Sequence, residues 1–518
     1  MKEGIKLNSK IIDLNEFSKL REELRNNNKT IIHCHGVFDL IHPGHITHFQ
    51  EAKNMGDILI VTITAAPYIQ KGPGRPYFND EQRLTSLAAL EMVNYVALVP
   101  DVTAIPAIKA IQPDIYVKGK EYSVSEDDVT NNIDKEINEV RKQGGEVHFT
   151  GGQVFSSTKL LNTAFSALPK EVVKTSLAIK KDYDIKYIKS CLEEFSDKKV
   201  LVVGDIIIDE YVDVEVQGLM SKDNAFSSKY VGSNKYLGGS LAVANHLSGF
   251  SNKVTLCSML GTEAKIHSDI LNSLGNRMFL DLDFNENFHT IIKRKYVYRS
   301  GEREEYRKVF AISYLQDDSK GQEIDKGTFY KKLESGLDNC DLVVVCDYGH
   351  GLIDDYAMEL INSKGKYMSL NCQTNSSNYG LNLITKYKKA NVFALDEKEL
   401  KLAMKDEKTD KGQLLAELKE ILKAEDAFLT MGSSGAKAIN KDGKIITYPA
   451  LVLNVKDTIG AGDAFFSMVS VCSFLNMPIE LSNLLGNAAG AIIANVVSNS
   501  EAINKSNVLK FVSTILNV

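Results

Sequence analysis

Short apolar runs that suit buried strands recur along the chain and alternate with stretches of helical spacing. The runs are four or five residues long and rich in Val, Ile and Leu, which is typical of strands covered on both faces. They are Thr30–Cys34, Ile58–Thr62, Tyr95–Val99, Val200–Val203, Leu342–Cys346 and Ala427–Thr430. Because strands of this kind alternate with helices in βαβ units, we expect an α/β fold with parallel sheets.

A break in this pattern between residues 167 and 183 predicts two domains. Leu168 and Pro169 interrupt the chain, and a polar, lysine-rich stretch follows. Apolar residues then return at helical spacing before the strand Lys199–Asp205. We expect a first α/β domain over residues 1–167, a linker over 168–183, and a second α/β domain over 184–518.

Composition narrows the class of protein. The chain has 518 residues, 44% hydrophobic and 25% charged, as in soluble globular proteins. Its net charge of −6 gives no general attraction to nucleic acid or acidic lipid. Seven cysteines without a CxxC pair indicate reduced thiols, and the first residues lack the apolar core of a signal peptide. We expect a cytoplasmic protein with no nucleic-acid or membrane partner.

Two histidines flank a glycine turn after the first apolar strand. The strand Thr30–Cys34 leads to Gly36, and His42–His45 (HPGH) then precedes a helical pattern. Backbone N–H groups at a helix start attract phosphate, and Gly44 would let the backbone approach it closely. Imidazole groups there can donate hydrogen bonds to charge that builds on phosphate oxygens. These residues predict a nucleotide-phosphate site.

The density of histidine allows other interpretations. Five of the ten histidines lie within sixteen residues, at positions His33, His35, His42, His45 and His48. Such density could hold zinc, but no cysteine or carboxylate spacing supports a metal site, and phosphate binding also explains the glycine. On its strand, His33 better fits a buried, hydrogen-bonded role. Lys118 alone could be a solvated surface lysine, but the glycine and tyrosine that follow favour function.

The HPGH segment and four later segments resemble the HxGH nucleotidylyltransferase superfamily, in its cytidylyltransferase-like branch. A lone HxGH would be weak, whereas five matches in the branch's order over about 130 residues are specific. The later segments resemble its substrate loop, the helix start after that loop, its VKGxxY strand end and its SSTxLI helix start. They are, in that order, Lys71–Pro76, Asn79–Arg83, Val117–Tyr122 and Phe155–Leu160.

This resemblance implies a Rossmann-like fold for residues 1–167, a reaction, and roles for individual residues. A substrate phosphate would attack the α-phosphorus of ATP or CTP, with pyrophosphate leaving and Mg²⁺ bound. His42, His45 and Lys118 would be catalytic, and Lys71 and Arg83 would bind the substrate phosphate. The implied nucleotide-binding residues are Gly36, Phe38, Gly44, Ser157 and Thr158.

A second glycine turn lies within Asp457–Phe465 (DTIGAGDAF). The small residues Gly460, Ala461 and Gly462 precede an apolar helix and leave N–H groups bare, which predicts an anion hole for the γ-phosphate of ATP. Asp463 lies just inside the turn and can accept a proton from an attacking hydroxyl. The helix dipole favours its ionised form. A tight helix start without function would not explain the flanking aspartates.

This turn and five earlier segments resemble the ribokinase-like (PfkB) sugar kinases, over nearly all of residues 184–518. The earlier segments are Gly204–Asp209, Gly238–Asn245, Thr290–Lys295, Asp347–Gly351 and Thr430–Gly435. The resemblance implies a ribokinase-like α/β fold with a small β lid, in which Asp463 is catalytic and Glu399 organises Mg²⁺ through water. The implied sugar-binding residues are Asp205, Asp209, Gly238, Gly239, Asn245 and Lys293. The implied ATP-binding residues are Thr430, Gly432, Gly435, Gly460, Ala461 and Gly462.

Some positions depart from the two families. Where the families commonly have Asp, Asn, Lys, Asn and a DPK-like strand end, this chain has Ala66, Ala242, His350, Asp396 and Asn371–Asn375. Asp463 and the predicted anion hole are intact. We therefore expect phosphoryl transfer to an unusual acceptor, and a decayed kinase is the alternative.

A PfkB kinase joined to a cytidylyltransferase-like domain is the composition of bifunctional ADP-heptose synthases, here in reversed order. The resemblance implies an enzyme that phosphorylates a heptose-like sugar or sugar phosphate and transfers a nucleotidyl group to a sugar phosphate. Two other hypotheses are a monofunctional nucleotidylyltransferase with a structural or dimerising kinase half, and a non-catalytic sugar-phosphate sensor. Residues 211–235 and 290–312 alternate as lid strands do, and such lids often dimerise, so we expect a homodimer.

Overall fold

The computed structural model describes residues 9–69, 75–120, 132–151, 168–262, 274, 277–300, 305–315, 324–375, 378–451 and 455–517. Contacts between residues divide the chain into two compact units. One unit is Met1–Pro169 with Leu509–Val518, and the other is Lys170–Val508. Each unit is built around parallel strands joined by helices, so the predicted α/β class is confirmed.

The first unit contains a five-stranded parallel sheet in the order β3-β2-β1-β4-β5. The strands are β1 (Ile31–Gly36), β2 (Ile58–Thr64), β3 (Tyr95–Val99), β4 (Ile115–Gly119) and β5 (Glu146–Thr150). The helices are α1 (Phe17–Asn26), α2 (Pro43–Lys53), α3 (Asp80–Ala88), α4 (Ile105–Ile111) and α5 (Asn132–Lys142). Successive residues of β1 enter different cores, since Ile31 packs with Phe17 and Ile32 with Phe49. Both faces of the sheet are therefore covered, which explains the continuous apolar runs.

The second unit contains a nine-stranded sheet in the order β10-β9-β6-β13-β14-β15-β16-β17-β18, parallel as far as β16. Its strands are β6 (Lys199–Gly204), β9 (Lys253–Leu260), β10 (Phe279–Phe284), β13 (Leu342–Asp347), β14 (Met368–Cys372), β15 (Val392–Asp396), β16 (Asp426–Thr430), β17 (Ala436–Ile439) and β18 (Ile445–Tyr448). The helices of the rest of the chain are α6 (Lys170–Asp182), α7 (Ile185–Glu194), α8 (Ser240–Leu247), α9 (Gly327–Asn339), α10 (Asp355–Lys364), α11 (Glu397–Met404), α12 (Lys411–Ile421), α13 (Ala461–Phe474), α14 (Ile479–Ala494) and α15 (Lys505–Leu516).

A separate four-stranded sheet follows the order β12-β11-β7-β8. Its strands are β7 (Ile206–Leu219), β8 (Phe226–Gly239), β11 (Ile291–Ser300) and β12 (Glu305–Tyr314), which contain most of the predicted lid. Only Asp205 separates the end of β6 from the start of β7. Gly204 has φ of +153°, and a Cβ there would lie 2.0 Å from the carbonyl oxygen of Cys346. The chain therefore leaves the large sheet at a position that requires glycine.

The stretch predicted as a linker contains helix α6. Val172, Ser176 and Ile179 recur at helical spacing and are buried. The hydroxyl groups of Ser176 and Tyr448 are 2.7 Å apart, so this helix packs on the second unit instead of serving as a bare connection. None of the helices in the described residues is long and apolar enough to cross a bilayer.

Candidate functional site

The first candidate site lies where β1 ends and α2 begins. Gly36 closes the strand, and a Cβ on it would lie 3.0 Å from the ring of Phe38, which itself has φ of +45°. His42 has an extended backbone and precedes the proline that opens α2, a residue favoured at the first helical position. The rings of His42 and His45 stack with centroids 3.7 Å apart. The two predicted histidines thus meet at a helix N-terminus, with Gly44 between them.

Aromatic packing holds the two imidazole rings in position, and burial affects the protonation of His42. The ring of Phe38 lies edge-on to His45, with centroids 5.1 Å apart, and 5.0 Å from Phe49. The side chain of His42 is buried, and this burial lowers its pKa. A neutral imidazole carries one N–H donor, and protonation needs a nearby negative charge to offset burial. A bound phosphate would provide that charge.

His33 and His35 belong to a buried hydrogen-bond chain. The hydroxyl of Thr62 is 2.8 Å from Nε2 of His33 and 2.8 Å from Nδ1 of His35, whose Nε2 lies 3.2 Å from the hydroxyl of Thr64. Burial lowers the pKa of His33 and brings that of His35 to about 3. The prediction that His33 is a buried core residue is confirmed. Among the described residues, no group of three or more His, Cys, Asp or Glu side chains is arranged to hold a metal ion.

Lys118 lies near the end of β4 in a buried ion pair. Its Nζ is 3.0 Å from Oε2 of Glu136, which also accepts a hydrogen bond from the hydroxyl of Tyr116 at 2.9 Å. The other oxygen of Glu136 accepts the N–H of Ala104 at 2.9 Å. Burial raises the pKa of Glu136, but the charges of Lys118 and His35 and the hydrogen bonds from Ala104 and Lys118 lower it to about 2. Lys118 is therefore not the solvated surface lysine of the alternative interpretation.

Arg83 does not face an open site, contrary to the role that the resemblance implied. Its guanidinium is fully buried, donates to the carbonyl oxygens of Val37 at 2.8 Å and Thr64 at 3.0 Å, and pairs with Asp80. The cause is the orientation of α3, which turns Arg83 toward the sheet. Arg83 ties the helix to two strand ends. Three further predicted residues lie outside the described part of the chain: Lys71, Ser157 and Thr158.

The second candidate site is a cavity of about 270 Å³ between the four-stranded sheet and the glycine turn before α13. Six predicted residues line this cavity: Asp209, Gly239, Lys293, Gly460, Gly462 and Asp463. Sequence analysis did not place three other lining residues in a site: Lys295, Tyr348 and Gln373. The structure thus brings the predicted catalytic aspartate and part of the predicted sugar site into one chamber.

One wall of the cavity carries paired charges. Nζ of Lys295 on β11 lies 2.5 Å from Oδ1 of Asp209 on β7, the neighbouring strand. A Cβ on Gly238 would lie 2.8 Å from Oδ2 of Asp209, so glycine leaves room for the carboxylate. Lys293 lies two residues before Lys295 on the same strand face, and burial lowers its pKa. This two-residue spacing is the signal that could have identified Lys295 from the sequence.

The opposite wall is the N-terminal end of α13. Gly460 has φ of +84°, and a Cβ there would lie 1.9 Å from Oδ1 of Asn499, so only glycine fits. Ala461 and Gly462 form the first turn, and a Cβ on Gly462 would meet open space. Burial raises the pKa of Asp463 to about 6. Because the first N–H groups of a helix have no partner within the helix, this turn can bind an anion beside a basic carboxylate.

Asp205 and Asn245, predicted to hold the sugar, are not among the described residues that line the cavity. Asp205 is 2% exposed, and its Oδ2 accepts the backbone N–H groups of Tyr348 at 3.3 Å and His350 at 3.4 Å. Burial and the charge of Asp347 raise the pKa of Asp205 to about 7. Asn245 is buried within α8. The carboxyl group of Asp205 thus supports the turn after β13, because β6 ends beside that turn.

The predicted ATP-binding turn joins β16 to β17. Thr430 ends β16, and its hydroxyl donates to the carbonyl of Leu395 at 3.4 Å. Gly432 and Gly435 have φ of +56° and +89°. A Cβ on Gly435 would lie 2.0 Å from the carbonyl oxygen of Tyr448, whereas one on Gly432 would meet open space. Gly435 is therefore required for packing, and Gly432 leaves the surface of the turn open.

Glu399, the predicted organiser of Mg²⁺, lies in the first turn of α11. Its carboxylate accepts the N–H groups of Asp396 at 2.9 Å and Thr374 at 3.2 Å. Burial, followed by the charge of Asp396, raises its pKa to about 8, and the charge of Asp463 adds to this. A cation near Glu399 and Asp463 would lower the cost of ionising both carboxyl groups. Carboxylate oxygens are the ligands that Mg²⁺ prefers, so the chemistry of Glu399 is compatible with a divalent ion held through water.

Tyr348 and Gln373 contact the catalytic candidate directly. The hydroxyl of Tyr348 donates to Oδ1 of Asp463 at 3.2 Å, and Nε2 of Gln373 donates to the same oxygen at 3.4 Å. Tyr348 follows β13 and Gln373 follows β14. Their proximity to Asp463 depends on the strand order, which the sequence does not display.

The folds and sites define a chain that combines a nucleotidyltransferase-type unit, with paired histidines at a helix start, and a sugar-kinase-type unit, with a carboxylate at a glycine turn. The chain belongs to the pfkB family of carbohydrate kinases, whose family model matches residues 197–506. Residues 33–191 match the cytidylyltransferase-like family model. Both resemblances found in the sequence are thereby confirmed.

Curated relatives match part of the chain. The "Bifunctional protein HldE" of Aliarcobacter butzleri (strain RM4018) is 38% identical over 117 residues, which cover 22% of this chain and 25% of that protein. The protein of the same name from Helicobacter pylori (strain G27) is 42% identical over 108 residues, which cover 20% of this chain and 23% of that protein. The chain thus spans about a quarter of the length of these relatives.

Solved structures that show some similarity to the chain include phosphofructokinase-2 from Escherichia coli in complex with substrates and products. It is 13% identical, with a TM-score of 0.47, over 61% of this chain and 98% of that one. Arabidopsis thaliana ribokinase complexed with ribose and ATP is 17% identical, with a TM-score of 0.46, over 61% of this chain and 99% of that one.

Proposed function

We propose that the chain makes an activated nucleotide sugar, with a nucleotidylyltransferase domain over residues 1–167 and a sugar kinase domain over residues 184–518. The kinase step phosphorylates a sugar or sugar phosphate with ATP. The transferase step moves a nucleotidyl group from ATP or CTP to a sugar phosphate. The observation that carries the proposal is the position of Asp463, which faces a charged cavity from the first turn of α13 beside Gly460.

In the kinase step, a hydroxyl of the acceptor attacks the γ-phosphorus of ATP. Asp463 takes the hydroxyl proton while the new O–P bond forms and the bond to ADP breaks. Because burial raises the pKa of Asp463 to about 6, the carboxylate is ionised at neutral pH and still basic. The N–H groups at Gly460–Gly462 and the ammonium of Lys293 stabilise charge on the phosphoryl oxygens. Asp209, held by Lys295, binds acceptor hydroxyls.

In the transferase step, an oxygen of a sugar phosphate attacks the α-phosphorus of the nucleotide, and pyrophosphate leaves. His42 and His45 donate hydrogen bonds to the charge that builds on the phosphate oxygens. The N–H groups at the start of α2, around Gly44, add to this stabilisation. Lys118 supplies positive charge from β4, and its contact with Glu136 fixes the position of the ammonium.

Mg²⁺ belongs to the proposal because a triphosphate needs charge neutralisation, which the ion supplies when bound. Glu399 would organise it through water, with Asp463 nearby. The support is the raised pKa of both carboxyl groups in the absence of a cation, to about 8 for Glu399 and about 6 for Asp463.

A heptose-like acceptor is the substrate class that we propose. Its support is the likeness of part of the chain to proteins named bifunctional protein HldE.

We also propose a homodimer that forms through the four-stranded sheet. Large apolar side chains there are exposed and would be covered by a second copy: Leu219, Phe226, Tyr230 and Val231. Light scattering after gel filtration is expected to give twice the mass of one chain.

The experiment is mass spectrometry of products after the full chain is incubated with Mg²⁺, ATP or CTP, and a library of sugars and sugar phosphates that includes heptose phosphates. We expect one phosphorylated sugar and one nucleotide sugar. Asp463→Asn should lower phosphorylation of the sugar by ~100-fold or more and leave nucleotidyl transfer to an added sugar phosphate unchanged. His45→Ala should lower nucleotidyl transfer and leave phosphorylation unchanged. If nucleotidyl transfer occurs but no mixture releases ADP, the result favours a monofunctional nucleotidylyltransferase whose kinase unit is structural. Full activity after replacement of His42, His45 and Asp463 by Ala would refute catalysis at both sites.

A further inference from the structure

The two oxygens of the Asp463 carboxylate have different surroundings. Oδ1 accepts hydrogen bonds from the hydroxyl of Tyr348 at 3.2 Å and from Nε2 of Gln373 at 3.4 Å. Within the described part of the chain, neither donor nor any other side chain bonds Oδ2. Because Asp463 lines the cavity, the oxygen without these donors is the one available to a bound molecule.

The two donors are fixed by the fold. Tyr348 directly follows β13, and Gln373 directly follows β14, the adjacent parallel strand. The ring of Tyr348 is 4% exposed, so it has little freedom to leave the carboxylate. The backbone carbonyl of Asp463 accepts the hydroxyl of Ser467 at 2.7 Å within α13. Residues that follow two adjacent strands therefore meet at one oxygen of the Asp463 carboxylate and restrict its rotation.

The surrounding charges explain why donors are needed here. Burial raises the pKa of Asp463, and the charge of Asp209 raises it further. The hydrogen bonds from Tyr348 and Gln373 and the charge of Lys293 act in the opposite direction. Donors to Oδ1 thus favour the ionised form without covering the second oxygen.

We propose that Tyr348 and Gln373 are positioning residues that hold Oδ1 of Asp463 and thereby present Oδ2 to the acceptor hydroxyl. The inference rests on the proposed kinase function. In the step, the acceptor O–H bond breaks and its proton passes to Oδ2, while the acceptor oxygen bonds the γ-phosphorus and ADP departs with the electron pair of the broken P–O bond. Gln373 lies in the strand end where the sequence departs from the kinase family, so this departure supplies a donor to the base.

The test compares Tyr348→Phe, Gln373→Met and the double variant with the unmodified chain, on whichever library sugar the unmodified chain phosphorylates. Loss of a hydrogen bond to a charged group corresponds to roughly tenfold in rate. We expect kcat to fall roughly tenfold in each single variant and further in the double variant, with KM for the sugar within about twofold. The acidic limb of the kcat profile should move to higher pH, because the lost donors favoured the ionised carboxylate.

Tyr448→Phe is the matched control. It removes a buried tyrosine hydroxyl from the same unit, one that bonds Ser176 at 2.7 Å, and it should leave kcat and the pH profile unchanged. A double variant of Tyr348 and Gln373 whose kcat stays within twofold of the unmodified chain overturns the proposal. A loss of kcat in Tyr448→Phe that is as large as the loss in the double variant would also overturn the proposal, since the effect would then be structural.

Crystal structures of the unmodified chain and the double variant form an arm that does not depend on the sugar. We expect Oδ1 of Asp463 to contact Tyr348 in the first structure and the carboxylate to rotate in the second. An unchanged carboxylate in the double variant contradicts positioning. If the unmodified chain phosphorylates no sugar, the proposed kinase function fails, and the two structures still decide whether Tyr348 and Gln373 hold the carboxylate.

Discussion

Glu136→Gln tests the electrostatic reasoning about the first unit most directly. The substitution keeps the shape of the side chain and removes the charge that balances Lys118, whose ammonium lies 3.0 Å away and is nearly buried. Burial opposes ionisation of Glu136, but Lys118, His35 and the hydrogen bonds lower its pKa from an ordinary 4.5 to about 2. A shift of this size corresponds to roughly 3 kcal/mol. We therefore expect the variant to lose ~3–5 kcal/mol, as breaking one side of a buried ion pair does.

The lowered pKa of Glu136 also determines how its contribution to stability depends on pH. The folded-state pKa of Glu136 lies below the unfolded one, so its stabilisation is complete above about pH 4.5 and is lost as the pH falls toward 2. The difference between the unmodified chain and Glu136→Gln should therefore be constant at neutral pH and shrink below pH ~4.5.

Hydrogen exchange followed by mass spectrometry is the appropriate assay, because the chain has no Trp and global melting would mix two units. Peptides that cover β4 and α5 should exchange faster in Glu136→Gln by roughly two to three orders of magnitude. Adding Lys118→Met should restore most of the protection, since no uncompensated charge then remains buried. Unchanged exchange in the single variant, or no recovery in the double variant, would refute the reasoning.

Three further predictions concern the second unit. Sugar phosphorylation should rise with pH to half its maximum near 6, because Asp463 must be ionised to accept a proton and burial raises its pKa to about 6; a pH profile of kcat checks this. Gly460→Ala should destabilise the unit by ~2 kcal/mol or more, since its Cβ would overlap Asn499, whereas Gly462→Ala should change urea-induced unfolding by less than ~0.5 kcal/mol. Asp205→Asn should raise the free energy of unfolding by ~2–4 kcal/mol at pH 8 and by little at pH 4, because the folded-state pKa of about 7 exceeds the ordinary 3.8 and stability falls as the pH rises between them; urea titrations at the two pH values measure it.

Short sequence motifs predicted part of each candidate site. Gly460 needs a positive φ and Asp463 follows it, while His42 and His45 flank a glycine at a helix start; these features lie within a few residues of one another. Glycine, proline and histidine have strong positional preferences, so short motifs of this kind identify the elements that carry them. The alternation of apolar runs likewise predicted two parallel sheets, because strands buried on both faces need continuous apolar sequence.

The other parts of the candidate sites depend on the direction in which each side chain points, which the sequence does not show. Arg83 lies in a motif that suggested phosphate binding, yet α3 turns it toward two carbonyl groups. Asp205 and Asp209 are four residues apart in one motif, but a change of sheet between them places only Asp209 in the cavity wall. Gln373 and Tyr348 reach the same oxygen of the catalytic candidate because β13 and β14, which they follow, are adjacent. Orientation and strand order are tertiary properties that no single segment determines.

The cavity that contains Asp463 is lined by residues of the four-stranded sheet and by residues near the nine-stranded sheet, and Asp205 is the single residue between β6 of one sheet and β7 of the other. Asp209 and Lys295 lie in the four-stranded sheet, whereas Asp463 lies in α13, which packs on β15 of the large sheet. The distance between the group that binds an acceptor and the group that deprotonates it therefore depends on the backbone at both junctions of the small sheet, at Gly204 and Asp205 and at Gly239, where β8 leads into α8. A pivot of a few degrees there, multiplied along a strand of fourteen residues, displaces the far end of the small sheet much more than the wall beside the pivot.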